Sequence, residues 1–248
     1  MIRSVNELIG YEIKSKDDRF GKLKDVLVDD QTWKIRFFDV DTGDWLPGRR
    51  VLISPNDLLE PDWENRIVPV ELSRKKIEKS PILAANAPVS KQWQDMFYDY
   101  YGWPYYGYHG HVQEHLSVPS DDLIAEKEAI GNQLSYDPHL RSVHELIGYN
   151  LRDNLGQEFG AVDDFICESN DWEIQFLSVD VRKWIPSKNV LMAAEMVRSV
   201  EWSTSTMELD CSQEDVLRIP EFDPSVPINE ETVRRLYDYY GRPIHTEY

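Results

Sequence analysis

Cysteine is nearly absent from this chain. Cys167 and Cys211 are the only two in 248 residues, which excludes the disulfide framework of a small secreted fold. Long apolar runs are missing too. None approaches the roughly 20 residues that a membrane-spanning helix needs. The opening residues, Met1 to Glu7, lack the apolar stretch of a secretory signal, so a cytoplasmic location is expected. Basic side chains are scarce beside acidic ones, 27 against 45, for a net charge of −18. Phosphate backbones repel such a chain, so direct nucleic-acid binding is not expected. Absent as well is any Ser-His-Asp, Cys-His or paired-carboxylate arrangement that persists through the chain. The expectation is a non-enzyme without a cofactor.

What the chain does have is repetition. Arg3-Ser-Val-Asn-Glu-Leu-Ile-Gly-Tyr11 returns as Arg141-Ser-Val-His-Glu-Leu-Ile-Gly-Tyr149. Tyr98-Asp-Tyr-Tyr-Gly-Trp-Pro104 returns as Tyr237-Asp-Tyr-Tyr-Gly-Arg-Pro243. The offsets are 138 and 139, so the chain holds two copies of one unit. Copy 1 is expected over 1–102, a linker over 103–140 and copy 2 over 141–248. Each copy is a control on the other. Cys167 and Cys211 stand where copy 1 has Val28 and Leu72, which makes them small core residues. Charge is not shared evenly: residues 1–118 carry 16 basic and 19 acidic side chains, and 141–248 carry 10 and 21.

Each copy begins as β structure. Strands are expected at Tyr11–Ser15, Lys22–Asp29, Trp33–Asp41 and Arg50–Ser54, then a hairpin from Leu58–Trp63 and Arg66–Val70. In the third strand Trp33, Ile35 and Phe37 keep period two, and then Phe38 and Val40 are apolar on the other parity. Trp172, Ile174 and Phe176, then Leu177 and Val179, do the same. A bulge or a strand buried on both faces explains this phase change. Gly10 and Gly21, with their twins Gly148 and Gly160, precede strands where positive φ is useful. A helical tail follows in each copy. Ser73 and Ser212 cap short helices that Pro81 and Pro220 stop. Longer helices are expected at Ser90–Tyr101 and Asn229–Tyr240, each ended by a glycine, Gly102 or Gly241.

The runs Leu8-Ile-Gly-Tyr-Glu-Ile13 and Phe20-Gly-Lys-Leu-Lys-Asp-Val-Leu-Val-Asp29, with the strand from Trp33, resemble the PRC-barrel family. Leu146-Ile-Gly-Tyr149 and Phe159-Gly-Ala-Val-Asp-Asp164 carry the resemblance in copy 2. That family includes the cytoplasmic domain of the photosynthetic reaction-centre H subunit and the C-terminal domain of a ribosome-maturation factor. The resemblance implies a mainly β fold with helical tails, as two small PRC-type β-barrels in tandem with approximate two-fold symmetry. It implies an interaction or scaffold module that assists a larger complex, at a membrane surface in the H-subunit case. An RNA-processing role is a further implication by analogy. The expected partner is a protein, and a homo-oligomer is open.

Candidate sites follow from residue type. Tyrosines bury area while keeping a polar tip, so Tyr98, Tyr100, Tyr101, Tyr237, Tyr239 and Tyr240 are interaction candidates or internal packing. Trp45 and Trp184, after the third strands, are core, lid or binding residues. His109, His111 and His115 form the one histidine cluster; it is a weak metal or ligand-sensing alternative, with Glu114 as the nearby carboxylate. The matched acids Asp25 and Asp164, Asp41 and Asp180, and Asp99 and Asp238 read as turn or strand-end residues rather than a catalytic pair. Lys14, Lys16, Arg19, Lys22 and Lys24 form either a local basic patch or a solvated strand face.

Overall fold

The structure is a computed structural model. It describes residues 2–16, 18–84, 89, 91–103, 139–181, 188–224, 226, 228 and 230–240. In copy 1 the order is β1 (Ile2–Ser4), α1 (Val5–Leu8), β2 (Glu12–Lys14), β3 (Arg19–Asp29), β4 (Ile35–Asp41), β5 (Arg49–Ile53), β6 (Ile67–Pro69), α2 (Arg74–Glu78), β7 (Leu83–Ala84) and α3 (Lys91–Tyr101). Copy 2 gives β8 (Leu140–Ser142), α4 (Val143–Leu146), β9 (Asn150–Arg152), β10 (Glu158–Glu168), β11 (Glu173–Asp180), β12 (Asn189–Ala193), β13 (Val197–Glu201), β14 (Thr206–Leu209), α5 (Gln213–Arg218), β15 (Glu221–Phe222) and α6 (Glu230–Tyr240).

The fold is mainly β, in two mixed sheets. One runs β6-β2-β3-β4-β5-β7; the other runs β13-β14-β9-β10-β11-β12-β15. The two orders are equivalent, with a parallel pair, β2 with β6 or β9 with β14, near one end of each. Among the described residues neither path returns on itself, so the sheets are open where closed barrels were expected. One edge of β10 is shared between β9, at Glu158–Ala161, and β1, at Ile166–Glu168. That edge is completed by a strand from the other copy.

The compact units therefore do not follow the repeat. Unit 1 holds Met1–Gly10, Asp25–Arg36 and Arg141–Tyr248; unit 2 holds Tyr11–Lys24 and Phe37–Leu140. In unit 1, Ile2 enters a core cluster with Ile166, Phe176, Leu191, Ala193, Phe222 and Leu236. In unit 2, Phe37 is fully buried beside Tyr98 and Trp103, with ring centroids 5.9 and 6.1 Å away.

Both readings of the third-strand phase change have support. Six consecutive residues of β4, Ile35 to Val40, are buried, so this strand is covered on both faces. In copy 2 the register of β10 against β11 shifts between Ile166 and Cys167, leaving Gln175 as an extra residue of β11. Gly10 and Gly148 do take positive φ, 85° and 87°. Gly21 and Gly160 serve otherwise: a Cβ there would lie 2.6 Å from the Asp41 or Asp180 carbonyl oxygen. They are small because strands cross closely, not because the turn demands it. The terminal hairpin is complete in copy 2, as β13 and β14. In copy 1 it keeps β6 and two isolated bridges, Leu58 with Val70 and Asp62 with Ile67.

The tails follow the capping chemistry. Ser73 Oγ accepts from Lys76 N, and Ser212 forms a reciprocal capping box with Asp215. Gly102 takes φ 74°, and its N–H and that of Trp103 both donate to the Tyr98 carbonyl, at 2.8 and 3.0 Å. Ser90, Asn229 and Gly241, expected as caps, lie outside the described residues.

Candidate functional site

The matched acids Asp25 and Asp164 form a reciprocal clasp within unit 1. Ser4 caps α1, its Oγ accepting from Glu7 N at 3.0 Å. The same hydroxyl donates to Asp164 Oδ2 of the other copy. Asp164 Oδ1 accepts from Asn6 N at 3.1 Å and from Phe165 N at 2.7 Å. The mirror image uses Ser142, which caps α4 and donates to Asp25 Oδ2 at 2.5 Å. Asp25 Oδ1 accepts from His144 N at 3.2 Å and from Val26 N at 2.8 Å. Each acid thus holds the helix start of the opposite copy, where the orphan N–H groups favour negative charge. Burial pushes the Asp164 carboxyl up to about 6, against the lowering by Ser4, Asn6 and Phe165.

A second reciprocal contact joins the copies inside unit 1. Ile35 N donates to the Trp172 carbonyl at 2.9 Å, and Ile174 N to the Trp33 carbonyl at 2.8 Å. Both tryptophans are left-handed, with φ 57° and 53°. Large side chains rarely adopt that conformation unless their surroundings enforce it. Here both are buried, and the Trp33 ring stacks on Phe165 at 5.9 Å. Beside them Arg141 pairs with Asp30 at 2.5 Å and lies 4.3 Å over the Trp202 ring. Sequence reasoning missed the exchange, although Ser4-Val-Asn-Glu7 and Ser142-Val-His-Glu145 are helix-start signatures whose capping serines needed no further partner.

The tyrosine tails divide between interior and surface. In unit 2, Tyr98 and Tyr101 are buried. The Tyr101 ring stacks on Trp103 at 4.4 Å, and the Trp103 indole N–H donates to Asp57. Burial raises the Asp57 carboxyl, while that bond and the Lys76 charge lower it. The Tyr100 hydroxyl donates to the Lys76 carbonyl at 2.9 Å, pinning α3 to α2. In unit 1 the Tyr240 hydroxyl donates to the Leu191 carbonyl at 2.9 Å. Tyr239 donates to the Asp215 carbonyl at 3.3 Å and keeps 39% exposure. Trp45 is half-buried in unit 2, with the Phe20 ring 5.7 Å away and the Arg74 guanidinium 4.4 Å over it. Trp184, His109, His111 and His115 lie outside the described residues, as does the side chain of Tyr237.

The family model of the PRC-barrel domain matches residues 2–79. The chain carries a PRC-barrel domain. The match runs from β1 past the end of α2. A comparison with curated proteins finds no match. The PRC-barrel segment is itself divided, since its residues 2–10 and 25–36 belong to unit 1 and the others to unit 2.

Among the described residues no three His, Cys, Asp or Glu side chains gather as a metal set. Cys167 and Cys211 are free and buried, and burial pushes both thiols up to about 12, far from a reactive thiolate. No helix among the described residues is long and apolar enough to cross a membrane.

Proposed function

We propose that the chain is a non-enzymatic protein-interaction module, located in the cytoplasm, that assists assembly or regulation of a larger complex. The PRC-barrel match to residues 2–79 carries this reading. We further propose that residues 141–248 are a second PRC-type copy and that 103–140 is a linker. The repeated motifs and the equivalent strand orders support this. On this reading the two copies are joined within unit 1 through Ser4 with Asp164 and Ser142 with Asp25. The acids that recur in both copies are then structural, and recognition falls to the outer strands, the short helices and Tyr239.

Tagged full-length protein, crosslinked in its native cells and then captured, tests the proposal. A protein partner recovered in stoichiometric amount is the expected result. Recovery of the chain alone, with turnover of any substrate by the purified protein, would overturn it.

A further inference from the structure

The two copies build the same face with opposite charge. Residues 12–24 and 71–79 correspond to 150–163 and 210–218. The first set carries nine basic and five acidic side chains, and the second carries two and six. Lys24 stands where copy 2 has Asp163, Arg19 where it has Glu158, and Lys75 where it has Glu214.

Within each unit the β-hairpin turn is tied to the short helix of the tail. In unit 2, Lys14 pairs across the ladder with Arg19, and Glu12 with Lys22. Lys16 N donates to the Leu72 carbonyl at 3.2 Å, tying the β2–β3 turn to the start of α2. Lys14, Lys16, Arg19, Lys22, Lys24, Lys75 and Lys79 are all exposed. In unit 1, Asn154 N donates to the Cys211 carbonyl at 2.9 Å, and Gln213 bonds Gln157 at 2.8 Å, tying the β9–β10 turn to α5. Glu158, Asp163, Asp210, Glu214 and Asp215 are exposed. Two leucines stand out among these acids, Leu155 at 77% exposure and Leu217 at 54%. Leu217 replaces Glu78 of copy 1, and Leu155 lies in a turn one residue longer than its counterpart.

We propose that the basic β2–β3/α2 face of one chain docks on the acidic β9–β10/α5 face of a second copy of this chain, head to tail. Lysine stems are apolar along their length and cover exposed leucines while their ammonium groups meet carboxylates. The net charge of −18 opposes self-association only weakly at physiological salt, where screening sets in beyond about 8 Å. The contact is heterologous, because the two faces differ, so it builds rings or chains rather than two-fold dimers. This inference stands apart from the proposed external partner, whose capture it neither needs nor predicts.

Sedimentation velocity of the full chain tests it. At about 0.15 M salt the mass should rise above 29.1 kDa with concentration and return to 29.1 kDa at about 1 M salt, where even close charge pairs are screened. Lys24→Asp with Lys75→Glu makes copy 1 resemble copy 2; Asp163→Lys with Glu214→Lys does the converse. Each double variant alone should stay monomeric, and mixing the two should restore one complementary contact and yield a dimer. Far-UV spectra check that both variants fold. A wild-type monomer at every concentration overturns the proposal, as does association that neither variant changes. Binding of the monomer to anionic phospholipid vesicles through the Lys24/Lys75 face would overturn it too, by assigning that face to a lipid surface.

Discussion

Lys34 and Glu173 occupy the same position in the two copies, and they pair with each other. They form an antiparallel bridge, with Nζ 3.7 Å from the carboxylate oxygen. The bonds beside them are reciprocal, Ile35 N to the Trp172 carbonyl and Ile174 N to the Trp33 carbonyl. Each residue of this bridge meets its own counterpart, so identical copies would set like charges face to face. Here the copies have diverged to opposite signs.

Reversing one of the two charges should therefore destabilise the fold modestly. The pair is part-exposed, so Glu173→Lys is expected to cost about 0.5–1 kcal/mol. Adding Lys34→Glu should recover most of that loss. Urea unfolding of the two single variants and the double variant measures the coupling.

Asp164 gives a pH dependence with a definite sign. Its folded value, about 6, lies above the ordinary 3.8. The folded state therefore holds the proton more tightly than the unfolded chain. The stability this brings is fully present below pH 3.8 and is lost as pH rises through about 6. Asp164→Asn removes the titration. Its stability relative to wild type should change between those two values and be flat above pH 7, as read from urea midpoints across the range.

Gly160 should tolerate no side chain. A Cβ would meet the Asp180 carbonyl oxygen at 2.6 Å, and backbone cannot swing aside as a side-chain tip can. Gly160→Ala is expected to cost about 2 kcal/mol or more. Gly148→Ala meets nothing within 4 Å and suffers only the strain of φ 87°, about 1 kcal/mol. Thermal unfolding of the two variants should rank them in that order.

Trp103→Phe tests the aromatic tail. Phenylalanine keeps much of the stacking on Tyr101 but leaves Asp57, part-buried, without the indole donor. The expected loss is about 1–3 kcal/mol. Asp57→Asn combined with Trp103→Phe should cost less than the sum of the single changes, which chemical denaturation can check.

Much of the fold was legible because local chemistry dictated it. Ser73 and Ser212 cap helices, Gly102 ends one, and the strand parity from Trp33 gave β4 and its burial. The three-residue strands β1 and β8 were not legible. Ile2–Ser4 is too short to show a period, and its partner is Ile166–Glu168 of the other copy. The same is true of the site. Asp25 and Asp164 read as local turn residues because their spacing carries no sign of a serine more than a hundred residues away. The role of Gly21 was misjudged for a related reason: the strand that crowds it, at Val40 and Asp41, is distant in sequence.

The pairing of Ile2 with Glu168 also bears on how the chain is made. A ribosome that has finished residues 1–10 has not yet produced the strand they will join. At about 5–20 residues per second, that strand follows roughly ten to thirty seconds later. During that interval Ile2, only 8% exposed in the finished fold, has no core to enter. Completion of unit 1 is therefore a late, non-local event. A nascent chain stopped before residue 168 keeps an open strand edge and leaves Ile2 and Val5 unburied, and unpaired strand edges are what aggregation exploits.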